Sequence, residues 1–215
     1  MADDIRLLTV EISGPVGMLE GAMNASAVVT ARAMAVLAHP LPTAGGTMHT
    51  KALYHAAKGL AGIGCPVLRF NFRGVGRSAG TFDAGPGEKD DFMAALNFMT
   101  SRYPDVSRVW AGGMSFGAWI AMTAGVQDSR VSTLIGIAMP ISRYDWEQVR
   151  RSSKPKFFIH GERDEICPLK EIREFYARAE EPKELVIIDA ADHLFDGKVS
   201  EVADAIEDLL SDWSG

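Results

Sequence analysis

Gly113-Met114-Ser115-Phe116-Gly117 is a G-x-S-x-G sequence set between an apolar run at 106–111 and a small-residue stretch through Ala118, Trp119 and Ala121. The run reads as a buried strand and the stretch as the start of a helix. A serine nucleophile needs that context. It must stand on a sharp strand-to-helix turn with its hydroxyl projecting into a cleft, and the flanking residues of such a turn pack so closely that glycine is required. The turn also brings a backbone N–H and a helix N-terminus to the place where an oxyanion would form.

A serine hydroxyl is a weak nucleophile unless a base takes its proton and an acid orients the base. After Ser115, Asp164 lies in His160-Gly161-Glu162-Arg163-Asp164 and His193 in Ala191-Asp192-His193-Leu194-Phe195, each just beyond an apolar strand run. Glu162 competes with Asp164 for the role of acid. His160 ends its strand inside the core and reads as structural, and Asp192 reads as solvated. A second oxyanion donor should come from the loop His39-Pro40-Leu41-Pro42, where Leu41 carries the free N–H between two prolines. It pairs with the N–H of Phe116. His39 precedes the serine, so it reads as a brace for that loop.

The elements that must hold these residues alternate. Strand runs lie at 5–12 and 18–21, with a turn at 13–17, and then at 34–39, 66–72, 106–111, 131–138, 156–160 and 184–188. Helical spacing covers 48–61 after a Thr47 cap, 88–100 and 169–179. A final helix carries Val199, Val202, Ala203, Ile206, Leu209, Leu210 and Trp213 on one face. The pattern predicts an α/β fold with a mostly parallel central sheet, helices on both faces, and chemistry at the carboxyl ends of the strands. Residues 1–215 read as one domain. The loop at 78–87, rich in Gly, Ser, Asp and Pro, reads equally as a surface connection or a wall of the site.

Composition narrows the classes. Among 215 residues, 22 Lys and Arg stand against 28 Asp and Glu, a net charge of −6 with no basic tract, which argues against nucleic acid as partner. No run reaches the roughly 18 apolar residues of a membrane span. Two cysteines, Cys65 and Cys167, are too few for a disulfide framework, so a cytoplasmic location is expected. The stretch Arg69–Ser78 lacks the endings of a nucleotide-binding loop, and no Cys/His cluster suggests a metal.

Together the stretches HPLPTAGGTMHTK (39–51), LRFNFRGVGRSAGTFDAG (68–85), GGMSFGA (112–118), HGERDEICP (160–168) and DH (192–193) resemble the α/β-hydrolase superfamily over nearly the whole chain. More narrowly, they resemble small uncapped bacterial hydrolases near the dienelactone hydrolase and carboxylesterase branch. The resemblance implies an α/β-hydrolase fold without a cap domain, with Ser115 as nucleophile, Asp164 as acid, His193 as base, and Leu41 and Phe116 as oxyanion donors. Dienelactone hydrolases carry cysteine as nucleophile, so Ser115 points to esters or thioesters, and HPLP in place of H-G-G-G weakens a lipase reading. Residues 139–155 leave room for one short helix, at 145–151, and no lid. The expected cleft is open, lined by Leu41, Phe116, Tyr144, Trp146, Ile166 and Phe195. The expected activity is that of a cofactor-free carboxylesterase for short to medium acyl esters. Thioesterase, lactonase-type hydrolase and small peptidase remain alternatives on the same triad, and an inert hydrolase-fold binding module is the alternative outside enzymes. An exposed edge strand would offer a route to a homodimer.

Overall fold

The computed structural model describes residues 5–26 and 31–213. Eight strands form one sheet in the order β1-β2-β4-β3-β5-β6-β7-β8. β1 (Ile5–Gly14) and β2 (Gly17–Ser26) form an antiparallel hairpin, and β2 pairs antiparallel with β4 (Val67–Phe70). From β4 onward every pairing is parallel, through β3 (Met34–Ala38), β5 (Val109–Met114), β6 (Val131–Ile137), β7 (Lys156–Gly161) and β8 (Lys183–Ile188). The central strands are buried over nearly their whole length, as their unbroken apolar runs require for a sheet covered on both faces.

One apolar layer packs α2 (Pro86–Arg102), α3 (Phe116–Gln127) and α5 (Leu169–Arg178) against the sheet. The other holds α1 (Lys51–Gly62) and α6 (Val199–Leu210). α6 turns Val202, Ala203, Ala205, Ile206 and Leu210 inward, the face its spacing predicts. Trp213 lies past its end and meets Phe157 edge-on at 5.2 Å. Between β6 and β7 lie only a 3₁₀ turn, Ile141–Arg143, and the one-turn helix α4 (Glu147–Arg150), so this connection inserts no lid over the carboxyl edge of the sheet.

Several boundaries differ from the sequence reading. The segment expected at 18–21 is a ten-residue strand, because a two-residue turn lets it pair along the full length of β1. The helix expected from 48 starts at Lys51, after a turn in which the Thr50 N–H donates to the Thr47 carbonyl at 3.0 Å. β5 starts three residues later than expected and runs to Met114, so Gly112 and Gly113 are strand residues paired with β3 and β6. The helix expected at 145–151 shortens to α4.

The cations of the stretch Arg69–Ser78 are spent within the fold. Arg69 donates to the Met48 carbonyl and to Asn24 Oδ1, and lies 5.0 Å from the Tyr54 ring. Arg73 grips Asp91 bidentately at 2.8 and 3.0 Å, and its backbone N–H adds a third bond to that carboxylate. Arg77 meets the Glu20 carboxylate at 3.1 Å.

Candidate active site

β5 delivers Ser115 at its carboxyl end, and α3 begins with the next residue. Ser115 has φ 54° and ψ −122°, a backbone conformation that L residues rarely adopt. Two constraints hold it there. Its N–H donates to the Ile137 carbonyl of β6 at 2.8 Å. The chain on either side is also pressed together: a Cβ on Gly113 would lie 2.5 Å from the Gly117 backbone, and one on Gly117 would strike the Ala38 and His39 carbonyls. Only glycine fits at both positions, which is what the G-x-S-x-G spacing encodes.

His193 stands on the loop after β8 and Asp164 on the loop after β7. His193 Nε2 lies 3.0 Å from Ser115 Oγ, and His193 Nδ1 lies 2.8 Å from Asp164 Oδ2. The structure thus brings together the three residues singled out from sequence, all of them buried. Asp164 Oδ1 accepts the N–H groups of Ile166 and Cys167, each at 2.9 Å. Burial alone would raise the Asp164 carboxyl. The His193 hydrogen bond and the Cys167 N–H outweigh it and hold that carboxyl below its ordinary value. Asp164 is therefore an anion, and its anion faces Nδ1, which fixes the proton there and leaves Nε2 as the acceptor toward the serine.

Glu162, the competing acid, has another task. Its carboxylate accepts the Ala190 N–H at 2.9 Å, tying the acid loop to the base loop. The Arg163 N–H adds a bond to the Ala191 carbonyl at 2.8 Å. Gly161 permits this approach, since a Cβ there would lie 2.5 Å from the Ala191 carbonyl oxygen. Asp192, expected to be solvated, is partly exposed and also closes the His193 loop by accepting the N–H groups of Leu194 and Asp196.

Two further histidines are structural. His39 donates from Nδ1 to the Pro40 carbonyl at 2.7 Å and accepts the Phe72 N–H at Nε2, at 3.1 Å. Both nitrogens are used by the neutral ring, and burial pushes its pKa down to about 4. His160 Nε2 is 2.8 Å from the Cys167 carbonyl and bonds across the base of the acid loop, and burial lowers its pKa as well. The Cys167 thiol is buried and pushed up to about 11, which makes it an inert filler.

The N–H groups of Leu41 and Phe116 have no acceptor among the described residues. Leu41 adopts φ −52° and ψ 120°, the extended conformation that a residue before proline prefers. Of the other expected lining residues, Tyr144 is half-buried and meets Phe116 edge-on at 5.9 Å, and Ile166 is half-buried beside Asp164. Trp146 and Phe195 do not line an open cleft. Trp146 is buried in the α3–α5 layer, meets Phe175 at 6.3 Å and donates to the Pro140 carbonyl. Phe195 is fully buried in the opposite layer, with α1 and α6. Phe82 and Trp119 were missed from sequence, and both are half-buried against the Phe116 ring, at 5.7 and 5.9 Å. Phe82 is the one large apolar residue in the polar loop at 78–87 and packs that loop against the nucleophile turn, but a single loop aromatic does not distinguish solvent, site and core in the sequence.

A strained serine at the carboxyl edge of a mostly parallel sheet, served by a histidine and an aspartate from later loops, defines a hydrolase class, and the comparisons agree. Residues 31–211 match the family described as Alpha/beta hydrolase domain, and the chain belongs to it. An uncharacterized protein of Rickettsia prowazekii is 34% identical over 206 residues, 92% of this chain and 86% of its own. An alpha-beta serine hydrolase homologue from Coxiella burnetii superposes with a TM-score of 0.89 at 31% identity, over 94% of this chain and 97% of that one. A serine hydrolase without lid from Xanthomonas campestris superposes at 0.86 with 33% identity, over 94% and 93% of the two chains. Among the described residues no helix is long and apolar enough to cross a membrane.

Proposed function

We propose that this chain is a serine hydrolase that cleaves small carboxylic esters through an acyl-enzyme. The observation that carries the reading is the relay from Ser115 Oγ through His193 to Asp164, at 3.0 and 2.8 Å, built on a nucleophile held at φ 54°. His193 Nε2 takes the Ser115 proton as Oγ attacks the ester carbonyl. The resulting oxyanion is met by the N–H groups of Leu41 and Phe116, each worth about 3–4 kcal/mol to the transition state. His193 returns the proton to the departing alcohol. It then deprotonates a water that attacks the acyl-Ser115 carbonyl, and collapse of that second intermediate frees the acid and restores the Ser115 hydroxyl.

The short connection between β6 and β7 supports short to medium acyl groups, since it inserts no lid that would form a deep tunnel. Cys65 and Cys167 are both free and buried, which suits a reducing cytoplasm. A fluorophosphonate probe, mapped by mass spectrometry on wild type and Ser115→Ala, tests the reading. Labelling confined to Ser115 is expected, and folded wild-type protein that stays unlabelled would overturn it. A series of p-nitrophenyl esters from two to sixteen carbons then tests the open cleft, with best turnover on the longest ester as the contrary result.

A further inference from the structure

The nucleophile turn sits within a cluster of aromatic rings. The fully buried Phe116 ring is met by Phe72, Phe82, Trp119 and Tyr144, at 5.7 to 5.9 Å between centroids. Phe72 belongs to the interior, whereas Phe82, Trp119 and Tyr144 are each half-buried. Tyr144 and Trp119 stack almost parallel, 4.5 Å apart at 11°. Lys89 Nζ lies 4.8 Å from the Trp119 ring centre. The Trp119 indole N–H donates to the Asp145 carbonyl at 3.1 Å, which pins the segment bearing Tyr144 to α3, one turn beyond the nucleophile. The stack therefore runs from Lys89 through Trp119 to Tyr144 and stops. Among the described residues the rings against Tyr144 are Trp119, stacked on it, and Phe116, edge-on, and no cation lies over it.

Rings held by neighbours and still partly in water form a preorganised surface, because binding costs them little additional order. Such a surface favours a planar π system over an aliphatic group of similar size, through edge-to-face and offset-stacked contacts. Resting on the hydrolase reading above, we infer that Tyr144 and Phe82, backed by Trp119 and Phe116, receive an aromatic ring of the substrate, so that the preferred esters are aryl-bearing. The ring belongs to either the acyl or the alcohol half of the ester. The chemistry of recognition is the same in both cases.

The test compares kcat/KM for methyl 3-phenylpropanoate and for 2-phenylethyl acetate, each against its cyclohexyl counterpart, by pH-stat titration. At least one aryl ester is expected to exceed its counterpart by roughly three- to tenfold, the scale of an aromatic pair beyond simple burial. The half of the ester that shows the preference identifies the half that meets the wall. Tyr144→Leu and Phe82→Leu should bring that ratio toward one, and Tyr144→Phe should keep it. Equal rates in wild type, or a ratio indifferent to both leucine variants, would overturn the inference. Saturation-transfer NMR of the same aryl esters on Ser115→Ala protein separates this outcome from failure of the hydrolase reading. Contact to the phenyl protons that is lost in Ser115→Ala/Tyr144→Leu supports the wall whatever the turnover, and its absence in Ser115→Ala rejects the wall.

Discussion

Asp164→Asn isolates what the acid does. The two oxygens of Asp164 are not equivalent: Oδ1 takes the N–H groups of Ile166 and Cys167, and Oδ2 faces His193 Nδ1 at 2.8 Å. An asparagine must keep its carbonyl oxygen toward the two N–H groups. The reverse orientation would set an NH₂ against two buried donors and strand both, at about 1–3 kcal/mol each. The amide nitrogen therefore points at Nδ1, and the histidine answers by moving its proton to Nε2. That proton then lies on the atom facing Ser115 Oγ, 3.0 Å away, and the base is blocked in its resting state. With the wrong tautomer and no anion to stabilise the imidazolium, kcat should fall by about 10⁴-fold, or about 5 kcal/mol. The side chain is isosteric and its Oδ1 contacts survive, so the thermal midpoint should move little. Ester turnover and ¹⁵N NMR of the imidazole measure both halves of the prediction. A folded Asp164→Asn protein that keeps more than a tenth of wild-type kcat, or whose His193 still carries its proton on Nδ1, would refute the reasoning.

Leu41→Pro removes one proposed oxyanion donor from a backbone that already has a proline-compatible φ of −52°, so kcat should drop about 10²- to 10³-fold with the loop intact. Leu41→Ala keeps the N–H, and comparing the two by steady-state kinetics separates donor from side chain. His39 is held neutral by burial down to about pH 4, whereas the unfolded chain protonates it near 6.5. The unfolded state thus binds the extra proton between those values, and stability should fall as pH drops through that window, by up to about 3 kcal/mol from this residue. Denaturant midpoints of wild type and His39→Gln across pH 4–7 check this, since the variant should show a shallower slope. Asp91→Ala leaves the Arg73 guanidinium buried without its partner and should cost about 3–5 kcal/mol in urea unfolding. Asp91→Ala/Arg73→Met, which removes the stranded charge, should recover much of that loss.

The legibility of this protein in its sequence follows from which contacts are local. The G-x-S-x-G turn is one strand end and one helix start, so its requirement for glycine is written within five residues. The strands β3 to β7 are buried on both faces and show as apolar runs whatever they pair with. Less legible were features set by partners distant in sequence. The length of β2 depends on β1, and the inward positions of Trp146 and Phe195 depend on Phe175 and on α6. A lone aromatic in a loop carries no mark of whether it faces solvent, a site or a core. Trp146 and Phe195 are buried inside the layers while Phe82 stays half-buried against Phe116, and burial is a property of the assembled layers.

The relay itself is assembled from two unequal units. Asp164 and His193 ride on loops fastened to each other through Glu162, Arg163 and the bare backbone of Gly161, so their 2.8 Å contact lies within one block. Ser115 belongs to a second block, fixed by β6 and by the compressed glycines on either side. The 3.0 Å contact between Ser115 and His193 is the place where the blocks meet. Proton transfer rates depend steeply on such a distance, so the strain at Ser115 has a use beyond exposing its hydroxyl. The Ile137 hydrogen bond and the packed glycines that enforce the strained backbone also keep it from relaxing away from the histidine. The cost of φ 54° is paid in stability, and what it secures is the position of one oxygen atom relative to a loop about eighty residues further along the chain.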